Sequence, residues 1–296
     1  MTEQAESNHE EPSESTLAPV ISQTWAAVAD KALAAASDSP DLKATGLSLG
    51  RSARTLAHTI ETCLLPLAAV NFAVAKARDY FANNFGKRLE AQAQDIPPDS
   101  VRDPAPAVAA QALQGLAFAH EEQSLESMYL ALLATSMDGR TPQDSAHPAF
   151  VEIIRQLTSR EAGLLKVFLK TDGQAIARIR KERLLPTEQV IQPGAQQTIV
   201  RYITSLHRAG TPVEQDGLGM MIDNWIRLGL VEVDFTRSYA TEDAYGWTKE
   251  RPEYERVCAQ CDPETEKVVL VHGILRVTEF GQRFAAAVGL RPRFQE

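Results

Sequence analysis

The sequence predicts a mainly α protein. It has an N-terminal helical arm, a central helical bundle and a C-terminal α+β module resembling a winged helix. Three observations predict it. Apolar residues step by three and four through the middle of the chain, as on Leu125, Met128, Tyr129, Leu132 and Leu133. Four prolines crowd the twelve positions from Asp95 to Pro106, which separates an arm from the remainder of the chain. Two stretches rich in Val, Leu and Ile, 230–235 and 267–277, lie between helical patterns near the C-terminus.

Residues 1–20 are acidic and polar, and they read as a disordered tail because they bury too little apolar surface to offset ordering entropy. The arm, 21–98, opens with Ala-rich helices over Thr24–Ala36 and about Leu42–Leu65, and Pro66 breaks the second. A long amphipathic helix then runs from Leu67 to Gln94, with Val70, Val74, Ala77 and Phe81 on one stripe.

The central helical domain spans 107–209. Val108, Ala112, Leu113 and Leu116 mark its first helix, and Ser124 suits the N-cap of the second. Asp138-Gly-Arg-Thr-Pro142 ends that helix. Pro148 suits the first turn of the next, whose inner face is Phe150, Ile153, Ile154 and Leu157. Thr158-Ser-Arg-Glu161 has capping-box spacing and opens a helix with Leu164, Leu165, Phe168 and Leu169. Helices are expected at 174–185 and 195–207.

The C-terminal module spans 210–296. Leu218, Met221, Ile222 and Trp225 form one helix, closed by Gly229. Strands come next at Leu230–Phe235 and Lys267–Val277. Thr278 caps a final helix from Glu279 to Val288. The long Thr236–Glu266 stretch between the strands reads as a loop, larger than a simple wing.

The chain has 296 residues, with 30 basic against 39 acidic side chains. Six acids and no Lys or Arg fall in residues 1–30, so the body is near neutral. It has no global attraction for phosphate backbones. Residues 201–296 hold 12 basic and 15 acidic residues, and the helix over Gly217–Leu228 carries one Arg. A nucleic-acid partner, through a local basic patch, is disfavoured by this charge; the winged-helix-like module packs or meets protein instead. The N-terminus lacks the basic start and apolar run of a signal peptide, and no apolar stretch reaches the ~20 residues of a membrane span. With three cysteines and a low density of them, a cytoplasmic protein is expected.

Few residues suggest chemistry. Cys258 and Cys261 have zinc-ligand spacing, and His272 is the nearest third ligand. A structural site needs four, so two loop cysteines are the simpler reading and no metal or cofactor is expected. His120, Glu121, Glu122, Glu126 and His147 lack HExxH or HxH spacing. There is no nucleophile elbow, Walker loop or dinucleotide fingerprint. No catalytic residue is identified.

The run Leu125-Glu-Ser-Met-Tyr-Leu-Ala-Leu-Leu-Ala-Thr-Ser-Met-Asp138, then His147-Pro-Ala-Phe-Val-Glu and an Ile/Leu-rich helix leading to Glu161, resembles the abortive-infection alpha (Abi-alpha) family. Leu65-Pro-Leu67, the long helix and Pro-rich connector, Ile226–Val231 and Leu275–Phe284 also resemble it, so the likeness covers roughly 50–290. Its matched positions here are Glu126, Met137, Asp138, His147, Pro148, Phe150, Glu152 and Glu161. The resemblance implies bacterial defence against phage and supplies no catalytic residues. Taken with the absence of any catalytic signature, it makes a non-enzymatic interaction protein, with a phage or host protein as partner, the leading reading. A DNA-binding regulator using the C-terminal module is the rival reading.

Overall fold

The computed structural model describes residues 71–184 and 196–293. The expected acidic tail, the arm's helices before Pro66 and Cys63 lie outside the described residues. The chain divides into two compact units at Ser159/Arg160.

In the first unit, α1 (Asn71–Tyr80) continues through a π-helical turn, Phe81–Phe85, into α2 (Gly86–Ala93). A 3₁₀ turn at Pro98–Ser100 leads to α3 (Pro106–Ala119), with Pro106 in the first turn, where its missing N–H costs nothing. Next come α4 (Gln123–Met137), a 3₁₀ turn at Gln143–Ser145 and α5 (Pro148–Arg155).

The core of this unit is α4, which is enclosed by α2, α3 and α5. Leu130, Ala131, Leu132, Leu133 and Ala134 are all buried in succession, as in a helix surrounded on every side. Gly115 of α3 permits the closest approach, since a Cβ there would lie 2.4 Å from the Tyr129 hydroxyl.

The second unit opens with α6 (Ser159–Phe168), then β1 (Gly173–Arg183), β2 (Gln196–Thr204) and a small ribbon, β3 (His207–Arg208) with β4 (Thr211–Pro212). Then come α7 (Leu218–Arg227), β5 (Val231–Asp234), a 3₁₀ helix at Glu242–Glu250, α8 (Pro252–Ala259), β6 (Glu266–Val277) and α9 (Glu279–Ala287). Four strands form one antiparallel sheet in the order β2-β1-β6-β5.

The protein is therefore α+β and not mainly α, and the winged-helix-like module is not found. The difference lies at 174–185 and 195–207, where strands replace expected helices. β1 is written in Ala, Gln, Arg, Lys and Glu, all good helix formers. It becomes a strand because β2 and β6 bond it on both edges. Ile176, Ala177 and Ile179 are all fully buried although they do not share one sheet face, which blurs the period of two. β2 is rich in Thr, Ile, Val and Tyr, but its ladder slips twice against β1, and the bulges break its alternation.

A wing also fails on pairing. β6 pairs with β1 over eleven residues and with β5 over only four, so β5 and β6 are not an isolated hairpin. The segment read as an oversized loop instead covers one sheet face. Val257 of α8 packs on Ala177, Ile179 and Ile203, with Trp247 and Tyr254 beside it. Thr278 caps α9, its hydroxyl accepting from Gly281 N at 2.8 Å.

Candidate functional site

Glu126 lies in the first turn of α4, and its side chain is 3% exposed. Tyr80 Oη donates to Oε1 at 2.6 Å, and Arg88 Nη1 donates to Oε2 at 2.6 Å. In an unbroken α-helix, residues eight apart point about 80° away from each other. The π turn absorbs one extra residue, so the spacing acts as seven and the offset falls to about 20°. Burial and the bond to Glu126 raise the Tyr80 phenol well above its ordinary range. This hydroxyl is a fixed donor and stays protonated. Tyr80 also lies against His120, ring centroids 5.0 Å apart, while Lys76 and Glu121 pair at 2.6 Å on the surface nearby.

At the other end of α4, Met137 and Asp138 are buried. The Asp138 carboxylate accepts three bonds from Arg140: from its backbone N at 3.0 Å, Nε at 2.9 Å and Nη2 at 2.8 Å. That bond pattern raises the Arg140 guanidinium. The backbone here also grips the Pro-rich connector. Arg102 N donates to Met137 O at 2.9 Å, and Gly139 N donates to Ser100 O at 2.7 Å. Arg102 Nε bonds Ser136 O at 3.0 Å. Met137-Asp138 thus ends a buried helix and ties it to the segment entering α3.

His147 is the N-cap of α5, its Nδ1 accepting from Ala149 N at 3.1 Å. Pro148 takes the first helical position, Phe150 is buried, and the exposed Glu152 pairs with Arg155 at 3.2 Å. Glu161, in the second unit, is buried and accepts from Asn224 Nδ2 at 2.8 Å.

These positions lie within a longer match: the sequence profile of the family described as abortive infection alpha matches residues 77–288. The chain belongs to the abortive infection alpha family. Neither a curated protein nor a solved structure matches it significantly. The matched stretch covers part of each compact unit and the whole four-stranded sheet. The positions that carry the sequence resemblance do not converge on one cavity. Glu126 and Met137-Asp138 mark opposite ends of α4, and His147 starts another helix.

The weak metal candidates also fail to converge. Cys258 is exposed near the end of α8, and Cys261 sits beside Glu266 and Lys181 at the start of β6. Burial first, then the Glu266 carboxylate, pushes the Cys261 thiol up and away from thiolate. His272 is six residues along the strand from Glu266, a distance of about 20 Å. It stacks on Tyr245 with centroids 4.0 Å apart. Among the described residues, no group of three or more His, Cys, Asp or Glu is placed to hold a metal ion. No described helix is long and apolar enough to cross a membrane.

Two constellations carry no sequence spacing that would reveal them. Arg251 is 1% exposed yet fully engaged. Its Nη2 and Nε bond Glu253 at 3.0 and 3.2 Å, and its Nη1 and Nη2 reach Leu206 O and Val213 O at 2.6 Å. It clamps the β3–β4 ribbon to the start of α8. The second constellation is Arg178 and Arg180 on β1, with Phe235 and Tyr202 behind Arg178.

Proposed function

We propose that this protein is a phage-defence component of the abortive-infection type, working through contact with a phage or host protein and not through catalysis. The family match over 77–288 carries the defence reading. Support for contact over catalysis comes from how the buried carboxylates among the positions that carry the resemblance are used. Glu126 is divided between Tyr80 and Arg88, Asp138 is filled by Arg140, and Glu161 receives Asn224. General acid–base work needs a group within reach of substrate and near its working proton affinity, and these carboxylates are buried in internal bonds.

The test is a bacterial strain with and without the gene, challenged with a phage panel. Plating efficiency and survival of infected cells are both scored. Abortive infection predicts fewer plaques together with death or arrest of the infected cell. Equal plating across the panel would remove the defence reading. The contact reading predicts that the tagged full chain, purified from infected cells, retains a specific protein absent from uninfected controls.

A further inference from the structure

The pairing of β1 with β6 runs without a slip from Gly173↔Arg276 to Arg183↔Glu266. Side chains on β1 therefore alternate strictly between the two sheet faces. Ala177 and Ile179 join the cluster under α8. Arg178 and Arg180 take the opposite face, across from Val271 and Val269. Phe235, just after β5, lies on that face over Gly273, where a Cβ would come within 2.6 Å of the ring.

The Arg178 guanidinium lies 4.4 Å from the Phe235 ring centroid. Tyr202 stacks on Phe235 at 6.3 Å with 12° between the planes, and its hydroxyl donates to Asp223 Oδ1 at 2.9 Å. Arg178 is thus held against an aromatic support that is itself anchored. Among the described residues, neither Arg178 nor Arg180 has a carboxylate at ion-pair distance, and the buried Nε of Arg178 has no hydrogen-bond partner. Arg180 bonds the neutral Gln196 Oε1 at 2.9 Å. Nearby arginines differ: Arg201 pairs with Asp223, Arg276 with Glu232 and Arg237 with Asp234. Burial and the neighbouring Arg180 both disfavour the charged form of Arg178. Two half-buried, adjacent cations without a paired carboxylate are a costly arrangement that an anion would relieve.

We propose that Arg178 and Arg180 form a binding site for the phosphate group of a small phosphorylated molecule, with Phe235 and Tyr202 holding Arg178 in place. Same-face positions two apart on a strand are about 6.6 Å apart. A carboxylate fits a single guanidinium fork, whereas the several oxygens of a phosphate bridge two. With a net charge of −9, the chain exerts no long-range pull on a polyanion, which favours a small molecule over a nucleic-acid strand.

The full chain is titrated by calorimetry with inorganic phosphate, adenosine mono- and triphosphate, and a single-stranded oligodeoxynucleotide. Saturable binding of at least one small phosphate compound is expected. Arg178→Gln and Arg180→Gln should each weaken it ~10- to 100-fold, the range of one charge-assisted hydrogen bond. Arg276→Gln, with the same charge change on the same sheet, should leave it within about twofold. Arg180 is held by a single neutral partner, so Arg180→Gln keeps the test open even if Arg178→Gln fails to fold. No saturable binding of any probe at millimolar concentration overturns the site, as does equal affinity in wild type and Arg180→Gln. Much tighter, salt-sensitive binding of the oligodeoxynucleotide than of either nucleotide overturns the small-molecule source.

Discussion

Tyr80 and Arg88 divide the carboxylate of Glu126 between them, each donating to its own oxygen at 2.6 Å. The π turn between them makes this sharing geometrically accessible. Glu126→Ala would leave the buried Tyr80 hydroxyl without an acceptor, while the half-exposed Arg88 turns to water. The expected loss is about 1–3 kcal/mol. Tyr80→Phe should lose a similar amount, and the double variant less than the two combined. Additive losses in chemical denaturation would show that the pair is uncoupled.

Alkaline stability depends on the same hydroxyl. The Tyr80 phenol is raised above its ordinary 10.0, chiefly by burial. Its stabilisation is complete below that value, where neither state ionises. As pH rises further, the unfolded chain releases this proton while the folded one retains it, and stability falls. Tyr129 and Tyr202 are raised by burial as well. Urea midpoints measured from pH ~9 to ~11 should therefore drop, and Tyr80→Phe should flatten the slope without abolishing it.

Leu132 has the apolar spacing of α4, Leu157 follows the end of α5, and both side chains are buried. Leu132→Ala should cost ~2–5 kcal/mol through lost transfer energy and a residual cavity. Leu157, just after α5 and 6% exposed, should lie at the lower end of that range. Calorimetric melting of both variants gives the comparison. Defence activity should fall only with the folded fraction.

His147 makes a cap bond to Ala149 N, and its side chain is exposed. His147→Ala should cost ~0.5–2 kcal/mol, and His147→Asn should recover most of it. A His147→Ala protein that keeps its melting temperature yet loses phage protection would give this residue a role beyond the cap.

Arg251 and Glu253 are both buried and satisfied mainly by each other and by two carbonyls. Arg251→Met strands the Glu253 charge, with an expected loss of about 3–5 kcal/mol. Arg251→Met with Glu253→Leu should be less damaging than Arg251→Met alone. The reverse order in denaturant titrations would mean that the two carbonyls, not Glu253, dominate.

Much of the first unit was legible from the sequence, because its helices carry their own signals. Leu125, Met128, Leu132 and Leu133 step at helical spacing, and Pro148 starts α5. Helix bonds are local, so a short window contains the information. β1 was not legible, because its state is fixed by partners far along the chain that a window cannot see. Glu126 falls in the run that carries the resemblance, but nothing in the sequence marks Tyr80 and Arg88 as its partners. A spacing of eight argues against a shared face unless the π turn is known. Arg251 offered no signal, since a buried arginine is written like an exposed one.

The long pairing of β1 with β6 also bears on the order in which the chain acquires structure. Gly173 meets Arg276 about 100 residues later, and that contact joins the two central strands of the sheet. During synthesis, β1 emerges with helix-forming residues and an unpaired edge until β6 has left the ribosome. A stop codon between Arg183 and Glu266 would remove that partner and release a chain whose second unit has no sheet centre. Such truncated chains should be protease-sensitive from Arg160 onward, while the helices before it, whose core is already complete by then, remain protected.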